Sequence, residues 1–453
     1  MKREAPSAIV PARDKQAEED LWLAHGAERG VWSEPMLAAL ERGLKGHKWF
    51  SLSDKVRSDR TLGLAWEKVK SNAGACGVDG ITIRRFAKDS QRRLLAVKEH
   101  LKRGTYQPQP VKRVWIEKPG SVEERPLGIP TVIDRVVQAA LRMVIEPIFE
   151  SRFAEHSYGF RPGRGCKEAL RRVEELLRAG HTHVVDVDIK GYFDAIPHER
   201  LMALVRERIA DGRVLGLIEG FLEQGVIEGT NWQEAKGEGT PQGGVVSPLL
   251  ANIYLDPLDW LMAGSGFEMV RYADDMVILC RSREEAEAAL GKLREWVEGA
   301  GLTLHPEKTR MVSMDPADSH FDFLGYRFKR TRRGKLIRLV RPKSLRKLRE
   351  TIKPKTRRAN GRSMEAIVAD LNRTLKSWYA YFKHVHRSEL GNIDCWLRMR
   401  LRSILRKRRG GRGRGRGRDH YRWPNRYFTG LGLLCLQDAK DTEIASLRQG
   451  ANH

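Results

Sequence analysis

The chain of 453 residues has no apolar run of about 18 residues, the length a helix needs to cross a bilayer. Its first 21 residues, MKREAPSAIVPARDKQAEEDL, are charged and lack the apolar core of a secretory signal. Only five cysteines occur, Cys76, Cys166, Cys280, Cys395 and Cys435, and none forms a Cys-x-x-Cys pair. Neither a zinc site nor a disulfide framework is therefore expected, and free buried thiols are. The glycine-rich turn at 72–80 lacks the Gly-Lys-Ser/Thr ending of a phosphate loop. These absences predict a cytosolic chain, and 453 residues are enough for two to four domains. The scarcest feature is acidity late in the chain. Residues 327–418 hold 32 Lys and Arg against 5 Asp and Glu, leaving 51 basic and 53 acidic residues elsewhere, for a net charge of +25. A solvated charged helix would mix both signs, so this asymmetry predicts a polyanionic partner. Trp378, Tyr379, Tyr381 and Phe382 lie among the charges, which favours nucleic acid over a membrane surface.

What is present reads as a mixed α/β body followed by basic helices. Residues 1–60 suggest a polar helical extension. Helical spacing recurs at 62–71, 83–104, 134–149, 166–179, 249–258 and 283–300, and Arg113, Lys118 and Arg125 are the cations of a β-hairpin within 111–130. Such cations suit solvent as well as a substrate. The loop Ser157-Tyr158-Gly159-Phe160-Arg161-Pro162-Gly163-Arg164-Gly165 has the glycines and arginines to approach a phosphate chain. Beyond 327, helices are expected at 343–352, 364–384 and 393–407. In the second of these Ile367, Leu371, Leu375, Trp378 and Phe382 make an apolar face, and the basic side should point outward. Arg346, Lys347, Lys376, Arg398 and Arg402 are candidates for nucleic-acid contact, as are Arg161 and Arg164. The run RGGRGRGRGR at 409–418, with Arg412 and Arg414, is of low complexity and is expected to stay disordered until it meets RNA or DNA.

Acidic residues occupy unusual places. In Val185-Asp186-Val187-Asp188-Ile189, strand alternation puts Asp186 and Asp188 on one face and the apolar residues on the other. In Arg271-Tyr272-Ala273-Asp274-Asp275, two carboxylates sit at a hairpin tip between the apolar segments 267–270 and 276–279. That pair fits a solvated turn as well as a metal site. His198 reads as structural. Between the two stretches lies Pro241-Gln242-Gly243-Gly244, a glycine-rich turn into a helix. Carboxylates on separate strands with such a turn between them suit nucleotidyl transfer, in which two Mg²⁺ ions are held about 4 Å apart.

The motifs DVDIKGYFDAIPH, GTPQGGVVSPLLANIYL, RYADDMVIL, LTLHPEKTR, FDFLGYRF, RPLGIPTVIDRVVQ and HSYGFRP closely resemble those of bacterial group II intron reverse transcriptases, or maturases, over about residues 60–436. The resemblance implies a right-hand polymerase of the α/β (α+β) class: an extension at 1–60, fingers at 61–180, a palm with a ferredoxin-like antiparallel sheet at 181–326, a helical thumb or maturase domain at 327–408, and a basic tail at 409–453. It makes Asp188, Asp274 and Asp275 the catalytic metal-binding triad for two Mg²⁺ ions, with Mn²⁺ as a substitute, and lays the Ile189 backbone against a metal. Phe193 matches an aromatic gate against a ribose 2′-hydroxyl. Gln242 matches a dNTP contact, and Arg113, Lys118 and Arg125 match a triphosphate clamp. Lys308 matches a lysine that protonates pyrophosphate, a surface or helix-capping role being the alternative. Asp186 and Asp194 are expected to serve local hydrogen bonds. The implied partners are dNTPs, an RNA template with a DNA primer, and group II intron RNA. Many members carry a C-terminal HNH endonuclease region with paired Cys-x-x-Cys ligands, which is absent from this sequence, so DNA nicking is not expected of it. Two alternatives stay open: a reverse transcriptase recruited to defence or repair, and a splicing-only RNA-binding cofactor.

Overall fold

The computed structural model describes residues 26–42, 48–117, 124–315 and 319–450. Two compact units emerge, one of Met1–Ile116 with Glu124–Met311 and the other of Glu117–Glu123 with Val312–His453.

In the first unit, helices α1 (Asp59–Asn72) and α2 (Val132–Glu150) pack together. Each opens on a hydroxyl cap. Ser58 Oγ accepts from Thr61 N at 3.1 Å and Thr131 Oγ1 from Asp134 N at 3.2 Å, which satisfies backbone donors that the first helical turn leaves free. Helix α2 is apolar almost all round, and Val136, Val137, Ala140, Leu141, Val144 and Ile145 are buried, as befits a central core helix. Trp32 and Leu52, from the expected N-terminal extension, join the same core, and Trp32 Nε1 donates to the Met143 carbonyl at 3.1 Å.

Two sheets follow. Strands β1 (Val111–Glu117) and β2 (Glu124–Ile129) are the expected hairpin. Strand β1 also pairs in parallel with β4 (Val226–Glu228), which folds back on β5 (Asn231–Gln233), giving the order β2-β1-β4-β5. The second sheet has the order β6-β7-β3-β8, from β3 (His183–Val187), β6 (Glu268–Tyr272), β7 (Asp275–Cys280) and β8 (Arg310–Ser313). Strand β7 runs antiparallel to both neighbours, with Val187 opposite Met276 and Tyr272 opposite Asp275. Helices α3 (Cys166–Arg178), α4 (Ser247–Gly264) and α5 (Arg283–Gly299) pack on this sheet. A helix layer over an antiparallel sheet is the α+β arrangement that the motifs imply.

The second unit opens with the meander β9 (His320–Phe323), β10 (Tyr326–Arg330) and β11 (Leu336–Val340). Leu324 and Gly325, both at positive φ, make the first turn. Helices α6 (Pro342–Lys355), α7 (Met364–Phe382) and α8 (Arg387–Arg408) follow, the first and third of them basic, with the expected Ile367, Leu371, Leu375 and Phe382 buried. Then come the short α9 (Arg418–Arg422) and α10 (Asn425–Gly430) and a terminal α11 (Leu436–Gly450) that packs on α8.

Two expectations need correction. The 409–418 run is an ordered loop, because its backbone is bonded to α8 and its surroundings. Of the free cysteines only Cys280 is buried, and Cys395 is exposed. Among the described residues no helix is long and apolar enough to cross a membrane.

Candidate active site and nucleic-acid surface

The turn between β6 and β7 consists of Ala273 and Asp274, with Ala273 at φ 57°. A positive φ at the first central residue alone is the type II′ pattern, whose twist matches the flanking strands. For a residue with a Cβ this conformation costs about 1–3 kcal/mol, so the surroundings must hold it. They do so from two sides. Below the turn, the fully buried Arg271 donates from Nε to Asp259 Oδ1 at 2.7 Å, and from Nη1 to Asn252 Oδ1 at 2.9 Å and to the Ala273 carbonyl at 3.0 Å. Beside it, Tyr158 N donates to the Arg271 carbonyl at 2.8 Å and Asn252 Nδ2 to the Gly159 carbonyl at 2.7 Å. A Cβ on Gly159 would lie 2.2 Å from Ala273 N, so only glycine fits there. The HSYGFRP segment thus clamps the carboxylate turn. Phe160, at φ 59° and 44% exposed, sets its ring 6.2 Å from Tyr272.

Asp188 follows β3, and pairing of β3 with β7 brings it to the same end of the sheet as Asp274. Burial raises the Asp274 pKa and the nearby Asp188 charge raises it further, whereas its own backbone, Arg125 and Arg271 oppose the shift. Lys308 Nζ lies 3.2 Å from Asp188 Oδ2. The segment Leu302-Thr303-Leu304-His305 is bridged to Asp188 and Ile189: His305 N donates to the Asp188 carbonyl and Lys190 N to the Thr303 carbonyl, both at 2.8 Å. Neither bond uses the Ile189 carbonyl. Asp275 is exposed on β7. Asp186 pairs with Arg310 at 3.3 Å.

Among the described residues no three acidic, histidine or cysteine side chains form a complete metal cage. Asp188 and Asp274 nevertheless make an all-oxygen, mutually repelling pair, with the Ile189 carbonyl close in sequence. This donor set fits a hard divalent cation, which takes carboxylate and carbonyl oxygens and completes its shell from water and substrate phosphates.

A cavity of about 420 Å³ is lined by Arg113, Gly128, Asp194, Thr240 and Gln242, among others, and the Arg125 charge acts on both Asp194 and Asp274. Gly128 N donates to the Gln242 carbonyl at 2.7 Å, tying β2 to the PQGG turn. A Cβ on Gly243 would lie 2.3 Å from the Gly128 carbonyl oxygen, so this close approach requires glycine. Gln242 Nε2 donates to Asp194 Oδ2 at 3.1 Å. Desolvation raises the Asp194 pKa, while the Arg113 charge, the Gln242 bond and the Arg125 charge pull it back. Arg113 also donates to Gln233 Oε1 at 3.1 Å. Phe193 is half-buried against Tyr192, whose hydroxyl donates to the Ala251 carbonyl at 2.5 Å. His198 Nε2 lies 2.7 Å from the Gly239 carbonyl, in a structural place. Lys118 lies outside the described residues.

Two arginines expected on the nucleic-acid surface are interior. Arg161 is 6% exposed and uses its whole guanidinium on Glu150 and the Ala154 and Ser157 carbonyls, fixing the loop that clamps the YADD turn. Arg402 is 3% exposed, donates to the Trp423 carbonyl at 2.9 Å and Asn425 Oδ1 at 2.8 Å, and covers Phe428. Charge alone could not tell them from the exposed Arg346, Lys347, Lys376, Arg412 and Arg414. Arg164 is half-buried and donates to the Glu155 carbonyl, and Arg398 is half-buried beside Cys395 and Cys435. Sequence reading also missed Asn252, Asp259 and Arg271 as supports of the turn. Their signal was polar residues placed within otherwise apolar segments.

Asp256 belongs to this network. Burial, and next the Asp259 charge, push its carboxyl up to about 6. The folded state therefore holds a proton that the unfolded state releases above pH 4, so stability falls as pH rises from about 4 to about 6 and then stays level. Asp256→Asn should stabilise the protein by on the order of 2–3 kcal/mol at pH 7.5 and by little at pH 4. Urea denaturation at the two pH values checks this.

Residues 116–328 match the reverse transcriptase (RNA-dependent DNA polymerase) family, and residues 345–423 match the group II intron, maturase-specific domain. The group II intron-encoded protein LtrA of Lactococcus lactis subsp. cremoris is 43% identical over 199 residues, which are 43% of this chain and 32% of LtrA. Protein YkfC of Escherichia coli K12 is 35% identical over 301 residues, 57% of this chain and 78% of YkfC. An uncharacterized 91 kDa protein in the cob intron of Schizosaccharomyces pombe is 39% identical over 198 residues, 43% of this chain and 24% of that protein. The matched segment thus spans about a third of LtrA but most of YkfC. With a reverse transcriptase domain followed by a maturase-specific domain, the chain belongs to the reverse transcriptase/maturase family of group II intron-encoded proteins.

Proposed function

We propose that the chain is an RNA-directed DNA polymerase that extends a DNA primer on an RNA template with dNTPs, and that it binds group II intron RNA to assist splicing and retrohoming. The observation that carries this reading is the closeness of Asp188 to Asp274, with Arg125 acting both on Asp274 and on the Asp194 that lines the Gln242 cavity. Asp188, Asp274 and Asp275 would hold two Mg²⁺ ions, or Mn²⁺ in their place, with the Ile189 carbonyl against one of them. Such ions lower the pKa of the primer 3′-hydroxyl and neutralise the triphosphate. Arg113, Arg125 and Gln242 bind and orient the nucleotide, and cations at this position stabilise charge on the transferring phosphates. Lys308, released from Asp188, gives its proton to the leaving pyrophosphate. The fingers would take residues 61–180, the palm 181–326 and the thumb or maturase region 327–408, in a protein that works in the cytosol on ribonucleoprotein.

Primer extension on a defined RNA template with dNTPs and Mg²⁺ tests the proposal, and no extension by the wild type would favour a splicing-only cofactor. Phe193 supplies a second measurement. If its ring excludes a 2′-hydroxyl, Phe193→Val should raise ribonucleotide incorporation at least tenfold, about 1.4 kcal/mol of lost discrimination. Parallel dGTP and GTP kinetics check this.

A further inference from the structure

The glycine-arginine run is built as a comb. Gly411 and Gly415 face α8, where a Cβ would lie 2.7 Å from Arg406 Cγ and 2.7 Å from Arg402 Cβ respectively. Gly413 and Gly417 take positive φ at 81° and 47°. The backbone between them is held at several points. Arg406 Nε donates to the Arg412 carbonyl at 2.8 Å, Arg358 Nη1 to the Gly413 carbonyl at 3.1 Å, Gly415 N to Ser403 Oγ at 3.2 Å and Arg416 N to Asp419 Oδ2 at 3.0 Å. Asp419, the acidic residue within this stretch, is occupied by Arg406 at 2.6 Å.

Alternation leaves Arg412, Arg414, Arg416 and Arg418 exposed, and their guanidinium groups have no protein hydrogen-bond partner among the described residues. Successive arginine Cα atoms are at most about 7 Å apart, a reach that suits consecutive phosphates of one extended strand. Four unpaired cations in seven residues repel one another, a cost that a polyanion removes. Tyr421 follows three residues later and is 88% exposed, the most exposed large hydrophobic side chain among those described. A bare aromatic ring next to phosphate-binding cations is the combination that stacks an unpaired base, and a duplex keeps its bases out of reach.

We propose that residues 412–421 form a preordered site for single-stranded RNA, with the four arginines on successive phosphates and Tyr421 stacked on a base. Its place in the maturase-specific domain favours RNA over DNA. The inference deepens the proposed RNA-binding role, yet its test needs no polymerisation, so wild-type primer extension can fail or succeed independently of it.

The full chain is titrated against a labelled unstructured 12-nucleotide RNA, the same sequence as DNA, and a 12-base-pair RNA duplex, over a range of salt. Replacing all four arginines with alanine should weaken binding to single-stranded RNA at least tenfold and reduce the slope of log Kobs against log salt by about 3. Tyr421→Ala should weaken it about tenfold at an unchanged slope, and Tyr421→Phe should restore it. Gly415→Ala keeps every charge but displaces the loop from Arg402, and should weaken binding several-fold. Thermal melts that match the wild type exclude unfolding of the variants. Binding by the arginine variant within twofold of wild type overturns the site. An unaffected Tyr421→Ala overturns stacking, unaffected Gly415→Ala overturns preorder, and equal losses on duplex RNA or on DNA overturn the assignment to single-stranded RNA.

Discussion

Asp274→Asn should lower the single-turnover rate of primer extension by about a hundred- to ten-thousand-fold, the effect of several kcal/mol of lost metal-assisted stabilisation at about 1.4 kcal/mol per decade. The carboxylate is half-buried, lies within the field of the Asp188 charge and sits on a turn held by Arg271 and Gly159. Asparagine keeps its shape and removes its charge. Asp275 is exposed on the strand, so Asp275→Asn should cost at least tenfold less. The same change has an opposite effect on stability. Because burial and Asp188 both raise the Asp274 pKa, its charge opposes folding in the metal-free protein. Asp274→Asn is therefore expected to melt higher than wild type in EDTA while losing activity in Mg²⁺. A variant that melts lower would identify Asp274 as a structural carboxylate.

The second large effect concerns Arg271. Its side chain is fully buried, paired with Asp259 and bonded to Asn252 and the Ala273 carbonyl. Arg271→Met leaves the Asp259 charge buried without its partner, at a cost of about 3–5 kcal/mol. Urea denaturation should record that loss. The double variant Arg271→Met with Asp259→Leu should recover most of it, because two apolar side chains no longer strand a charge. Activity should not return with stability, since the bond to the Ala273 carbonyl that holds the turn is still missing. If the double variant regains wild-type extension, Arg271 serves folding alone.

These predictions rest on unequal shares of sequence and structure. The YADD hairpin was legible because strand alternation and turn chemistry act within a few residues. The helices of the basic region were legible for the same reason, and Ile367, Leu371 and Leu375 fell on the buried face their spacing implies. The β4–β5 hairpin escaped notice, since its two strands of three residues each carry too short a pattern.

The arginines divide along the same line. Arg161, Arg402 and Arg412 carry the same charge, and each has a further arginine within a few residues. The first two are satisfied inside the protein and the third faces solvent. Low complexity pointed to disorder at 409–418, yet four backbone anchors fix the loop, because its alternate glycines let the chain approach the helix as no other residue would.

By itself the sequence determined the local chemistry of this protein: which of the longer segments form strands, turns and helices, where carboxylates interrupt apolar runs, and how strongly basic charge is concentrated late in the chain. Tertiary structure alone decided what those residues face. Asp188 and Asp274 are 86 positions apart in number and meet only because β3 pairs with β7, and Arg271 supports the turn only because Asp259 and Asn252 of α4 lie beneath it. Such contacts depend on long-range packing and on which side chains lose their water, and neither is written in any short stretch of chain.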